Sequence, residues 1–516
     1  MNGAEIIIKT AVAAGIDVCF SNPGTTEMPL VAALSSIPGI QAKLGLFEGC
    51  CTGAADGYAR MIDKPALTLL HLGPGLANGI ANLHNAHRAN SPVVNIVGEH
   101  ASWHRSFDAP LTMDIEALAG AVSGWQRTST SVETLSKDTA DAISAAMRGQ
   151  VSSLIVPNDF QWSDCMDETI SKPHFSIEPV DYDAVKKAAK LLKTDQKTVI
   201  ILGGRALKKK ALNAAARIKA KTGCDLLAET FPARMERGAG IPALDRIPYF
   251  PEQAVDLLSK YQVVILAGAK VPVAFFGYKG MSSKILSEDQ KLLQFSPNNQ
   301  NLQEALECLA DALDAPKRID TENASSAKLQ DLRLPEGRLS ADKVCVILAA
   351  LQPENAIIVE EAITTGVFYY KHAANAPSNS LLTLNGGSLG LGMPCAVGAA
   401  VACPDRPVIS FQADGAAMYT VQALWMQARE SLNITTLICA NRSYDILKFE
   451  FARAGYSSPK GNASELMDLS HPVIDWVKIS EGMGVPAVSV DSAEKLSTEM
   501  KRALAEPGPH LIAMVL

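Results

Sequence analysis

The chain has 516 residues, of which 47% are hydrophobic and 20% charged, and its formal net charge is -7. That length suggests about three domains with ample cores, and the balance is that of a soluble globular protein. The modest, dispersed charge offers no basic patch for nucleic acid, and the apolar stretches break well short of the ~20 residues that span a bilayer, so neither nucleic acid nor membrane is an expected partner.

The N-terminus, MNGAEIIIKTAVAAG, reads as a helix start rather than a signal peptide, because Glu5 precedes a short apolar run. The ten cysteines contain no C-x-x-C pair. Neither a zinc site nor a disulfide framework is favoured, and a cytoplasmic protein is expected. Short β-rich runs then alternate with helical stretches: PALTLLHLG, SPVVNIVG, SSLIVPND, TVIILGG, QVVILAGA, NAIIVEEA, RPVISFQADG, ITTLICANRS and HLIAMVL. Several end in Gly, Asn or Asp where a helix would begin. That is the pattern of parallel α/β sheets, whose ligands lie at the carboxyl ends of the strands. Polar stretches at 164–182 and 314–337 divide the chain into 1–163, 183–313 and 338–516, three domains with parallel sheets flanked by helices.

Three stretches raise chemical questions. In LFEGCCTGAADGYAR, residues 46–60, Glu48 heads a run of small residues broken by Asp56. A helix-start acid is the plain reading, since a carboxylate there suits the helix dipole. In the middle domain VIILGGRALKKK makes a strand and a Gly-Gly turn without G-x-G-x-x-G, and no P-loop lysine motif occurs. A tight turn is favoured there, and FAD or nicotinamide binding is not expected. In the third domain Asp414 ends one strand and Asn441 the next, with one crossover helix between. These are hard oxygen donors that, with a main-chain oxygen and phosphate, suit Mg²⁺. The Gly415 turn frees backbone N–H groups for phosphates. The alternative is an ordinary βαβ turn capped by Asp. His84-x-x-His87 and His100-x-x-x-His104 have helical spacing for a metal but lack a third ligand for zinc.

The pair A-D-G (413–415) and N-R (441–442) resembles the thiamine-diphosphate motif, G-D-G followed by N-N. NPGTTE (22–27), FEGCCTGAADGYAR (47–60), LLHLGPGLANGIANLHNAHRANSPVVNIVG (69–98) and NGGSLGLGMPCAVGAA (385–400) fit in the same order. Over essentially its whole length the chain is similar to the thiamine-diphosphate-dependent decarboxylase/acetolactate synthase superfamily, with the benzoylformate decarboxylase and acetolactate synthase branches nearest. The resemblance implies a pyrimidine-binding domain, a central Rossmann-like domain and a diphosphate-binding domain. It implies thiamine diphosphate and Mg²⁺ as cofactors, a 2-oxo acid substrate that loses CO₂ to leave a cofactor-bound enamine, and a homodimer at minimum, commonly a homotetramer.

Residue by residue, Glu48 matches the acid that hydrogen-bonds the cofactor's pyrimidine ring. Gly387 matches the carbonyl that accepts from the 4′-amino group, and Leu389 the apolar prop beneath the bent cofactor. Asp414, Asn441 and, through its main-chain oxygen, Ser443 match the metal ligands, with Gly415 and Ala416 beside the diphosphate. His71 matches a histidine lining the benzoylformate decarboxylase site, and Thr25 falls at the site serine. Phe47, Tyr278, Ile446, Leu447 and Glu450 fall at the substrate pocket. Ala413, Ala416 and Arg442 depart from the family's usual residues. Glu450 departs too, since the family position is apolar; it either pairs with Lys448 or Arg453 or lies at the far end of the pocket. Two rival readings are a nicotinamide oxidoreductase and a cofactor-binding relative without turnover.

Overall fold

Strands covered by helices on both faces need no polar side, so the continuous apolar runs belong at the centres of parallel sheets. The computed structural model describes residues 1–297, 299–318 and 333–516, so most of the second polar stretch, 319–332, lies outside the described residues. The chain forms two units. The first holds Met1–Phe175 and Gly386–Leu516 with the stretch that ends at His372; the second begins at Ser176 and includes Ala373–Asn385.

The first unit opens with a six-stranded sheet of β1 (Val18–Asn22), β2 (Gln41–Leu44), β3 (Ala66–Leu70), β4 (Val93–Glu99), β5 (Trp125–Thr128) and β6 (Val151–Pro157), in the order β2-β1-β3-β4-β6-β5. All neighbours are parallel. Because β1 leads to β2 on one side and meets β3 on the other, a crevice opens beyond the carboxyl ends of β1 and β3.

The second unit has a five-stranded parallel sheet. Its strands are β7 (Thr198–Leu202), β8 (Asp225–Ala228), β10 (Asp245–Arg246), β11 (Val263–Ala267) and β12 (Lys291–Ser296), in the order β10-β8-β7-β11-β12. It also pairs β9 (Arg234–Arg237) antiparallel with β14 (Asn379–Thr383). In the turn after β7 the Gly204 N–H is taken by Glu229, 3.0 Å away.

The C-terminal part of the first unit carries β13 (Ala356–Glu361), β15 (Val408–Ala413), β16 (Ile434–Ala440), β17 (Ala487–Val490) and β18 (His510–Val515). They run in the order β17-β18-β16-β15-β13, again parallel.

The small-residue run becomes the helix Glu48–Ile62, buried from Glu48 to Met61. Its partner is the helix Gly392–Ala402 of the same chain, and the reason for the small residues is steric. A Cβ at Gly57 would lie 2.1 Å from the Cys395 carbonyl oxygen, and one at Gly398 would lie 1.8 Å from that of Ala54. Only glycine allows two backbones so close. Asp56 belongs to this support: Arg60 donates to it through Nε at 2.8 Å and a terminal nitrogen at 2.6 Å, both side chains being buried, and the Ser91 hydroxyl also bonds it. Paired charges of this kind are tolerable in a core only while both partners remain.

Candidate active site

The first cluster of functional groups lies at the β1/β3 crevice. β3 hands the chain to His71, the N-cap of the helix Leu72–Ala89. Leu72 adopts φ 51, a left-handed conformation that costs a non-glycine residue about 1–2 kcal/mol. Strain of this kind gathers where a side chain must be aimed. His71 Nδ1 lies 2.8 Å from Glu27 Oε2 and 3.1 Å from Thr26 Oγ1. Glu27 is fully buried, accepts from the Gly24 N–H at 2.8 Å, and is bonded by the Thr26 hydroxyl. Gly24 must lack a side chain, because a Cβ there would sit 2.2 Å from His71 Nδ1. The carboxylate engages Nδ1, so Nε2 is the nitrogen left for proton exchange. Thr25 opens the short turn Thr25–Glu27 and is exposed; its neighbour Thr26 makes the contact with His71.

Glu48 is the first residue of its helix, 7% exposed, and its Oε2 accepts from Asn78 Nδ2 at 3.0 Å. Glu48 and His71 flank Gly75: a Cβ there would be 3.4 Å from Glu48 Oε1 and 3.2 Å from His71 Cβ. The half-buried Phe47 folds its ring over Gly49. The helix that supplies Asn78 also presents Asn82 and Asn85. Asn82 Nδ2 donates to the carbonyls of Gly49 at 2.8 Å and Gly390 at 3.2 Å. Asn85 donates to Ser388 O at 2.8 Å and accepts from Ser388 N at 3.2 Å. This polar stripe ties the Glu48 helix to the turn before Gly392–Ala402. That turn needs glycine at Gly387 and Gly390, with φ 77 and 92. Thr420 Oγ1 donates to Gly390 O at 2.9 Å, and Glu361, at the end of β13, accepts from the N–H groups of Gly390 and Gly392. Gly387 is exposed and Leu389 half-buried.

The second cluster lies at the ends of β15 and β16. Because these strands are parallel neighbours, Asp414 and Asn441 emerge side by side. Asp414 is 2% exposed, and its two oxygens accept from the N–H groups of Gly415 at 2.8 Å and Arg442 at 2.7 Å. Burial raises its pKa above the ordinary value against those donors, and Asp445 adds to the rise. Asn441 accepts from Ser443 N at 3.2 Å and donates to Asp445 Oδ2 at 3.1 Å, while the Ser443 hydroxyl turns to Met467 O at 3.2 Å. Arg442 stands at φ 56, a region more often taken by Asn or Gly, and its N–H still reaches Asp414. Ala416 is buried beside them. A carboxylate, an amide oxygen and nearby main-chain carbonyls are the donor set a hard divalent cation takes, so these residues fit Mg²⁺.

The helix Asp445–Arg453 follows and has no buried residue. Ile446 is half-buried and Leu447 exposed, and Glu450 Oε2 lies 3.8 Å from Arg453 Nε. Tyr278 sits half-buried in a loop of the second unit. A cavity of about 510 Å³ opens elsewhere, at the ends of β5 and β6, where Arg105, Glu116 and Arg127 are among its lining residues; it contains none of the candidate site residues.

Residues 1–119 match the family described as "Thiamine pyrophosphate enzyme, N-terminal TPP binding domain", and residues 364–514 its "C-terminal TPP binding domain". The chain is 46% identical over 519 residues to a Mycobacterium tuberculosis protein named "Putative acetolactate synthase large subunit IlvX", covering 100% of this chain and 99% of that one. The chain belongs to the thiamine pyrophosphate enzyme family. A benzoylformate decarboxylase of Pseudomonas aeruginosa is 26% identical over 532 residues, 96% of each chain. The solved structure of a thiamine diphosphate-dependent 4-hydroxybenzoylformate decarboxylase from Rhodococcus jostii superposes with a TM-score of 0.87 at 24% identity, covering 99% of this chain and 98% of that one; it supports the fold. The α/β architecture, the family and thiamine diphosphate as cofactor thus agree with the expectations from sequence. Sequence reasoning passed over Glu27, Asn78, Asn82, Asn85 and Glu361. The first had a signal, the terminal acid of NPGTTE, and the asparagines share one helical face by their spacing. Nothing local marked Glu361.

Proposed function

We propose that this thiamine pyrophosphate enzyme decarboxylates a 2-oxo acid and then either protonates the remaining fragment to an aldehyde or joins it to a second carbonyl, using Mg²⁺ with thiamine diphosphate. The relatives' names span both outcomes. The observation that carries the reading is Glu48, a buried carboxylate at the head of a helix, steadied on one oxygen by Asn78 and separated from His71 by the width of Gly75.

Bound thiamine diphosphate supplies a carbon nucleophile that proteins lack. Toward it, Glu48 would share a proton with the pyrimidine ring nitrogen, Gly387 would offer its carbonyl to the amino group, and Leu389 would pack against the cofactor. Asp414, Asn441 and the main-chain oxygen of Ser443 would hold Mg²⁺, with Gly415 and Ala416 beside the diphosphate. His71, oriented by Glu27, moves a proton at Nε2. Thr25 would stand as the site hydroxyl, and Phe47, Ile446, Leu447 and Glu450 would line the substrate pocket.

The active unit is a homodimer at least, and a homotetramer accords with the family. Met418 and Tyr419, just past Asp414, are 40% and 54% exposed, and Leu447 and Phe449 are 46% and 57% exposed. Apolar surface gathered about a candidate site calls for a cover. The ten cysteines are free thiols, which suits the cytoplasm.

A panel of 2-oxo acids, assayed with and without thiamine diphosphate and Mg²⁺ for CO₂ release and product mass, tests the reading. Cofactor-dependent CO₂ release from at least one acid supports it. Stoichiometric cofactor without turnover on any of them overturns it in favour of a non-catalytic relative.

A further inference from the structure

We infer that Glu361 is a positioning residue for the cofactor: from the end of β13 its carboxylate sets the turn over residues 386–391 that carries Gly387 and Leu389. The inference rests on the functional reading above and adds a residue to it.

The geometry is specific. Glu361 is 1% exposed, its Oε1 accepts from Gly390 N at 2.7 Å, and its Oε2 accepts from Gly392 N at 2.6 Å. Gly392 opens the helix Gly392–Ala402, whose N-cap is Leu391, a residue with no side-chain acceptor. The first amides of a helix have no partner within it. A carboxylate from a neighbouring strand supplies one here, in charge-assisted bonds of the short, strong kind.

A buried carboxylate is costly to keep unless its partners satisfy it. Among the described residues no cation pairs with Glu361. Glu360 on the same strand adds repulsion, and Gln412 lies opposite on β15. On the facing helix stands the Cys395 thiol, and the Asp56–Arg60 pair near it is internally matched. The amides of the turn are therefore what holds the charge, and the charge is what holds the turn. The other contacts of the turn come from Asn82, Asn85 and Thr420, which are neutral, and from His84, whose Nε2 lies 3.1 Å from Gly386 O. With Gly387 and Gly390 both left-handed, the backbone depends on such anchors to keep one conformation. A misplacement of ~1 Å in groups that orient a reactant can cost about 100-fold.

Burial pushes Glu361 up to about 7, against the backbone donors of Gly392, Gly390 and Leu391. A proton on either oxygen converts an acceptor into a donor and releases one amide of the turn. Cofactor affinity should therefore weaken as pH falls below about 7.

The test compares full-length wild type, Glu361→Gln and Glu361→Asp. It reads the thiamine diphosphate Kd in saturating Mg²⁺ by calorimetry from about pH 6 to 8.5, with circular dichroism and melting of the cofactor-free protein. Glu361→Gln keeps the shape but presents an N–H to one of the two amides. It should fold, bind thiamine diphosphate about 10–100-fold more weakly, and lose the pH dependence near neutrality. Glu361→Asp should keep the pH dependence with intermediate affinity. Wild-type affinity and pH profile in Glu361→Gln would overturn the inference. Should Glu361→Gln not fold, hydrogen exchange in the cofactor-free wild type decides. Protection of the Gly390 and Gly392 amides, corrected for intrinsic rates, should fall below about pH 7, and constant protection overturns the inference. Failure of the wild type itself to bind thiamine diphosphate would overturn the functional reading and this inference with it, in a different arm of the experiment.

Discussion

The two clusters of the candidate site differ in how far one chain completes them. At the first, Glu27, Glu48 and His71 are each bonded by a side chain of their own chain. At the second, Asp414 is just as buried, but the helix Asp445–Arg453 after Asn441 has no buried residue, and Leu447 and Phe449 stand 46% and 57% exposed. The acid–histidine side is thus organised by folding, whereas the Asp414–Asn441 side is framed by folding and left open.

The largest effect that would test this contrast is loss of the proposed metal anchor. Asp414→Ala should abolish binding of thiamine diphosphate and Mg²⁺ together, because ion and phosphate are held jointly. Calorimetry showing wild-type binding would place the metal elsewhere. At the other cluster, Glu48→Gln should still bind the cofactor but slow exchange of its acidic carbon-bound proton into D₂O by roughly 10²–10⁴-fold, the usual contribution of a well-placed acid or base. An unchanged exchange rate would remove Glu48 from that role.

The support beneath Glu48 is testable as stability. Asp56→Ala removes the carboxylate partner of the buried Arg60 guanidinium and should cost about 3–5 kcal/mol in urea unfolding. A loss below about 1 kcal/mol, the worth of an exposed pair, would mean the charges are not buried together.

A pH experiment separates structural from functional carboxylates. Glu229, in the second unit, is pushed up to about 7 by burial. Its folded value lies above the unfolded value of about 4.3, so the native state holds the proton more tightly. Its contribution to stability is full below the unfolded value and is lost as pH rises through about 7. Glu229→Gln should flatten the dependence of Tm on pH between about 4.5 and 7 and leave thiamine diphosphate affinity unchanged, whereas Glu361→Gln should alter both. A Tm profile identical to wild type would show that Glu229 titrates normally.

The smallest expected effect concerns Glu450. With Arg453 at 3.8 Å the pair is partly matched, so Glu450→Leu should raise kcat/KM for aromatic or aliphatic 2-oxo acids over polar-tailed ones only severalfold, less than the ~1.4 kcal/mol of a tenfold change. The same preference order in both proteins would place Glu450 outside the pocket.

Much of this was legible without coordinates. The apolar runs ALTLL, TVIIL, VVILA and ITTLICA are buried strands. The strands that escaped the sequence reading include β2, β5, β12 and β17, all at sheet edges and with mostly partly exposed or exposed positions. An edge strand is solvated on one side and so lacks the continuous apolar signature.

By itself the sequence determined where the chemistry-bearing residues lie along the chain. Glu48 heads its run, His71 follows a strand, and Asp414 and Asn441 end successive strands, all placed by local patterns of a few residues. Only the tertiary structure decided what each one faces. The small residues of Glu48–Ile62 serve the helix Gly392–Ala402 of the same chain, Glu27 reaches His71 across 44 residues, and Glu361 reaches Gly390 across 29. Such pairings follow from which strands become neighbours and how closely two backbones can approach. Local periodicity carries neither, because a buried acid in a strand looks the same whether a cation, a histidine or the amides of a distant turn will satisfy it.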